Sequence, residues 1–147
     1  MPFSNTNCFD LSYTSADAAG TVVGTTITGL DAFKSLFIYA ALTGPTGGTL
    51  DVYLQVSPDR GTTWVDYAHY VQIAAGAAVA KKVFTVSRYG QQTTVTATGA
   101  GTTASPGVAL AANTVVGGEF GDRMRLISVT GVGASAGLRM RRANERF

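Results

Sequence analysis

His69 is the only histidine and Cys8 the only cysteine of the 147 residues. A histidine general base needs a nucleophile or a carboxylate beside it. Alternation along 64–73 assigns Val65, Tyr67, His69, Val71 and Ile73 to one strand face. Trp64, Asp66, Ala68, Tyr70 and Gln72 take the other. Asp66, close in sequence, is thus expected across the strand from His69, which reads as a hydrogen-bonded histidine at the core edge or an interface. One His and one Cys exclude a multi-histidine metal site, a Cys-based zinc cluster and an intramolecular disulfide framework. The aspartates are scattered, mostly at turns or on outer strand faces, and set up no acid–base pair. No catalytic, cofactor-binding or metal-binding residue is assigned, no cofactor is expected, and no enzymatic role is expected.

The glycine clusters 99–104 and 131–136 loosely fit a dinucleotide fingerprint. That fingerprint works only where a strand precedes and a helix N-terminus follows. Neither cluster leads into a helical pattern, so both read as turns. Arg123, Arg125, Arg139, Arg141, Arg142 and Arg146 crowd the last quarter, against Glu119, Asp122 and Glu145. Pairing of 123–129 with 138–142 as a hairpin would set Arg123 and Arg125 near Arg139 and Arg141 as a basic stripe. Arginine suits bidentate pairing with carboxylates or phosphates. Without interleaved aromatic residues the stripe reads as a solvated face or a protein contact, and nucleic acid is not the expected partner.

Ser57-Pro58-Asp59-Arg60-Gly61-Thr62-Thr63-Trp64 satisfies Ser-x-Asp-x-Gly-x-Thr-Trp at every specified position. An aspartate in such a turn accepts hydrogen bonds from nearby backbone N–H groups. Gly61 permits a positive φ, and Trp64 offers an apolar face to cover the hairpin base. The octet resembles the Asp-box, which recurs once per blade in sialidase-like propellers, away from the catalytic centre. One copy stands here, in a chain too short for a propeller. The arginine triad and tyrosine nucleophile of sialidases do not map onto it. Ser57, Asp59, Gly61 and Trp64 are therefore expected to form a structural turn.

The elements that must carry these residues are strands. Apolar residues make up 46% and charged residues 14%, and 11 Lys+Arg against 9 Asp+Glu leave +2. Gly, Ala, Thr and Val abound, while Glu occurs only at 119 and 145. That composition suits pleated surfaces and tight turns rather than amphipathic helices. The length fits one domain, 1–147. No basic segment followed by an apolar run opens the chain, and the small apolar stretch 73–80 is far short of the roughly 20 residues of a membrane span. A soluble protein made in a cytoplasm, without a membrane partner, is expected.

Period-two alternation predicts a half-buried strand over 50–57, with Leu50, Val52, Leu54 and Val56 inward. Further strands are expected near 21–28, 33–42 (central and buried), 64–73, 81–87, 123–129 and 138–142. Residues 1–20 read as an extended arm or first strand. Residues 88–118 read as a protruding loop or β-arm, with 93–98 and 107–110 as its two sides. The expectation is an all-β, antiparallel sandwich or jelly-roll-like domain of about seven to nine strands.

Residues 50–68, running from Leu50 through the Asp59 turn to Ala68, resemble small structural proteins of tailed bacteriophages. The ending is similar to them too, where Arg125-Leu126-Ile127-Ser128-Val129-Thr130-Gly131 leads through a small-residue turn into a last strand. The resemblance covers about a third of the chain. It implies a β-sandwich virion component, foremost a capsid decoration (cement) protein that binds the major capsid protein lattice and stabilises the shell. It further implies a homo-oligomer, a trimer being favoured, located on the virion surface. Phe3, Phe9, Arg123, Arg125, Arg139, Arg141 and Arg142 are the candidate partner contacts, and the arm and the 88–118 segment could add strands to neighbours. The alternatives are a neck, collar or tail protein of the same particle, and a carbohydrate-binding module stacking sugars on Tyr53, Tyr70 and Tyr89.

Overall fold

The computed structural model describes residues 8–14, 20–43, 47–70, 72–76, 80–89, 97–100, 114–130 and 135–142. Among them the strands are β1 (Cys8–Thr14), β2 (Gly20–Val23), β3 (Ser35–Thr43), β4 (Thr49–Ser57), β5 (Thr63–His69) and β6 (Ile73–Ala74). There follow β7 (Ala80–Ser87), β8 (Ala97–Ala100), β9 (Thr114–Val115), β10 (Arg123–Thr130) and β11 (Ser135–Arg142). One 3-10 turn, Leu30–Ala32, interrupts them, entered through Gly29 at φ 79°. No helix among the described residues is long and apolar enough to cross a membrane.

The fold is all-β and antiparallel. A four-stranded sheet runs β1-β11-β3-β7, and a seven-stranded one runs β2-β10-β4-β5-β8 with β6 on β4 and β9 on β5. The alternation in 50–57 has the expected result on one face: Leu50, Val52, Leu54 and Val56 are buried. They share one apolar cluster with Leu36 and Ile38 of β3, Met124 and Leu126 of β10, and Phe33, Phe120 and Val116 from the connections. Each such side chain contributes roughly 1.5–3 kcal/mol through burial. The expected central strand at 33–42 is β3, between β11 and β7. Burial on both sides is only partial, since Leu36 and Ile38 are enclosed while Ser35 and Phe37 are half-buried.

Three expectations are corrected. Arg123–Thr130 and Ser135–Arg142 do not form a hairpin: β10 lies between β2 and β4, and β11 lies between β1 and β3 in the other sheet. The basic stripe is therefore not assembled, because the chain changes sheets between those strands. The strict alternation through 64–73 also fails. Gln55 pairs with Asp66 and Leu54 with Ala68, so Tyr67 is an extra residue in β5, a β-bulge. Tyr67 and Ala68 both enter the core, and His69 lands on the face opposite the one expected. Tyr70 follows them inward and is buried.

Within 1–20, residues Cys8–Thr14 form an edge strand along β11, in register from Cys8 with Arg141 to Thr14 with Ser135. Of 88–118, β8 and β9 return to β5. Most of the expected sides 93–98 and 107–110 lie outside the described residues, as do Phe3 and Arg146.

The connections are tied by Arg88, just past β7. Its Nη2 donates to the carbonyls of Leu30 (2.6 Å) and Gly121 (2.7 Å), and its Nε donates to that of Phe33 (2.7 Å). The guanidinium lies 4.0 Å over the Phe120 ring and pairs with Glu119. Gly121, at φ +65°, sits against the end of β4, where a Cβ would overlap the Ser57 carbonyl oxygen. Gly121→Ala meets both a left-handed backbone and a backbone clash. It is expected to cost more than about 2 kcal/mol, read as a lowered urea midpoint at unchanged slope.

Candidate functional site

The polar residues with chemical potential gather on the face of the seven-stranded sheet turned away from Leu50, Val52 and Leu54. Cross-strand partners share a face, so the pairing sets out three rows. Arg123 lies beside Ser57; Arg125, Gln55 and Asp66 form the next row; Ile127, Tyr53 and His69 form the third. Asp51, two residues before Tyr53, continues the same face.

The middle row is a buried chain of hydrogen bonds. Arg125 Nε donates to Gln55 Oε1 (2.9 Å), and Gln55 Nε2 donates to Asp66 Oδ1 (2.8 Å). The Arg125 guanidinium stacks 4.0 Å from the Trp64 ring. Gln55, Asp66, Trp64 and Arg125 are 0%, 2%, 3% and 7% exposed. Burial lowers the arginine's pKa, and Asp66 opposes that shift. The amide thus links a cation and an anion and ties three strands together. Such charges are costly when left unpaired in a protein interior.

The third row holds the histidine. Its ring stacks on Tyr53, with centroids 3.9 Å apart and planes at 14°. Nε2 lies 3.4 Å from Asp51 Oδ1, while Gln72 Nε2 donates to Asp51 Oδ2 at 2.7 Å. Burial, then Asp51 and Asp66, raise the Tyr53 pKa. His69 and Asp66 are therefore on the same face, contrary to the expectation from simple alternation, because the Tyr67 bulge shifts the phase by one residue. The expectation of a hydrogen-bonding histidine at the core edge agrees with its burial and its approach to Asp51.

The Asp-box octet forms the turn between β4 and β5. Asp59 Oδ1 accepts from the Thr63 backbone N–H (2.6 Å) and the Ser57 hydroxyl (3.0 Å). Ser57 Oγ accepts from Gly61 N (2.7 Å), and Trp64 Nε1 donates to the Gly61 carbonyl (3.2 Å). Gly61 has φ 97° and Arg60 has φ 59°. The backbone N–H of Thr63, foremost, lowers the Asp59 pKa. All four expected turn residues are engaged, and Trp64 also reaches the Arg125 network.

A cavity of about 190 Å³ opens beside this turn, with Val56, Pro58, Val65, Tyr67 and Val116 among its walls. Its two carboxylates already have partners. Asp66 accepts from Gln55, while Glu119 pairs with Arg88 and accepts from Gly121 N. The Tyr67 hydroxyl donates to the Gly118 carbonyl at 2.9 Å. Among the described residues no group of three or more His, Cys, Asp or Glu is placed to hold a metal ion.

Of the candidate contact residues, Arg125 is buried in the network and Arg123 is half-buried beside Gly61. Phe9, Arg139, Arg141 and Arg142 stand in β1 and β11, in register with Met140, Tyr39, Phe37 and Leu36 respectively. Of the three tyrosines considered for sugar stacking, Tyr70 is in the core, Tyr53 is covered by His69, and Tyr89 is 73% exposed. Comparison with protein-family models, curated proteins and solved structures finds no match to this chain. Sequence reasoning missed Gln55 as the bridge and Arg88 as the staple. The signal for Gln55 was a polar residue two positions before Ser57 in a strand whose outer face was expected to be wet.

Two outcomes are expected. Gln55→Leu removes the amide bridge between Arg125 and Asp66 and should cost about 2–4 kcal/mol, measured by urea denaturation. For Asp59 the folded turn favours the ionised form. Its contribution to stability is complete above the ordinary carboxylate pKa of about 3.9 and is lost as pH falls through the lowered value. The stability advantage of wild type over Asp59→Asn should therefore be full at pH 6 and shrink below about pH 4, followed by thermal melts across that range.

Proposed function

We propose that this chain is a non-enzymatic β-sandwich component of a tailed-phage virion, foremost a decoration protein that binds the major capsid protein lattice and stabilises the shell. The sandwich reading is supported by the single apolar cluster that takes side chains from both sheets. The structural role is supported by the use of the polar side chains. The Arg125–Gln55–Asp66 row, the Asp59 turn and the Arg88 staple each bind parts of this chain to one another. The resemblance of 50–68 and 125–131 to phage structural proteins directs the reading to the virion.

The observation that carries it is the pair of edges on the four-stranded sheet. β1 and β7, 7 and 8 residues long, end that sheet, and neither has a further strand partner among the described residues. An open edge of that length offers main-chain donors and acceptors to a neighbouring chain. On a capsid lattice, such edges let a small protein clamp adjacent subunits without a pocket or a cofactor.

The test is cosedimentation of the purified protein with capsids that lack it. Binding that saturates at a fixed number of copies per shell is the expected result, with capsids surviving heating or low salt better once coated. Binding restricted to particles carrying neck or tail assigns the chain to those parts instead. Binding to no particle component, with binding to glycans, would overturn the reading in favour of a carbohydrate-binding module.

A further inference from the structure

The edge strand β1 has a sequence that reads alike in both directions. Around Leu11, polar residues stand one position away on each side (Asp10 and Ser12), and aromatic residues stand two positions away (Phe9 and Tyr13). Its register with β11 runs through all seven residues without a shift, and it contains neither Pro nor Gly. Edges unbroken by a bulge, proline or glycine pair readily with another strand.

The other described edges differ. β2 has only 4 residues. β7 carries Lys81 and Lys82 near its start, and like charges discourage its pairing with the same edge of a second copy.

We infer that two copies of this chain pair through β1, antiparallel, about a two-fold axis at Leu11. The register then sets Leu11 against Leu11 of the second copy, Phe9 against Tyr13, Asp10 against Ser12 and Cys8 against Thr14. No like charges meet, and each aromatic residue faces another, a favourable cross-strand pair.

The row structure of the sheet continues across the axis. Fully buried Ile38 is in register with Met140, and Met140 with Phe9. Ala40 is in register with Leu138, and Leu138 with Leu11. In a single copy these rows end at β1 among the described residues. In the pair they extend into the second copy, and two four-stranded sheets become one of eight strands. A two-fold contact of this type is isologous and closes on itself. It builds a dimer, not the trimer that the resemblance implied, and it does not depend on the capsid role.

The test is the mass of the full-length protein in solution by size-exclusion chromatography with light scattering, over a dilution series, for wild type, Ser12→Asp and Ser12→Lys. Ser12→Asp sets a carboxylate against Asp10 of the second copy, twice per dimer. Ser12→Lys sets an ammonium there. The wild type is expected at the mass of two chains. Ser12→Asp should dissociate at about tenfold or more higher concentration. Ser12→Lys should hold together at greater dilution and weaken with salt. Thermal unfolding of each variant reports whether it is folded. Should Ser12→Asp not fold, the Ser12→Lys comparison decides alone. A one-chain or three-chain mass for the wild type overturns the inference, as does a dimer indifferent to both substitutions.

Discussion

One extra residue in β5 decides what the seven-stranded sheet presents on each face. With Tyr67 inserted between the Gln55–Asp66 and Leu54–Ala68 pairs, both Tyr67 and Ala68 pack into the core. The next residue, His69, is turned to the side of Tyr53 and Asp51. The bulge has local supports. The Tyr67 carbonyl accepts from Val116 N at 2.8 Å, and its hydroxyl donates to the Gly118 carbonyl. Both bonds draw the 116–118 connection against the sheet. The phase of every later residue on β5, and the walls of the neighbouring cavity, follow from that insertion.

Two arginines do different work under similar burial. Arg88 spreads its donors over three backbone carbonyls and a glutamate, fastening connections that have no strand ladder of their own. Arg125 acts through an amide, so that its charge and that of Asp66 are compensated across three strands while Trp64 closes over it. In both cases burial lowers the pKa, and arginine nonetheless stays charged because its ordinary value lies so far above neutrality. Lysine could not replace either: a single ammonium lacks the planar fork that reaches several acceptors at once.

These ties favour a rigid framework, and they leave the outer strands of the four-stranded sheet as the natural place for interaction. The proposed virion role and the proposed pairing through β1 use the same physical resource, the main-chain groups of edge strands that have no further strand partner among the described residues. Both draw on β1, and the virion role draws on β7 as well. The lysine-bearing β7 remains open to a partner of another kind when β1 is occupied by a second copy.

Much of this molecule is legible locally. The alternation of Leu50, Val52, Leu54 and Val56 determined a half-buried strand and its inward face. The spacing of Ser57, Asp59, Gly61 and Trp64 determined the turn that follows, because its hydrogen bonds close within eight residues. The scarcity of glutamate and the wealth of Thr, Val and Gly determined an all-β chain. The tertiary structure alone decided that β10 and β11 belong to different sheets, that Tyr67 bulges, and that Gln55 is buried between Arg125 and Asp66. It alone placed Gly121 against Ser57 and Arg88 against Leu30 and Phe33. The physical reason is range. A turn or an alternating strand is specified by residues a few positions apart, whereas sheet membership, register and the partners of a buried charge depend on segments that meet only when the chain has folded.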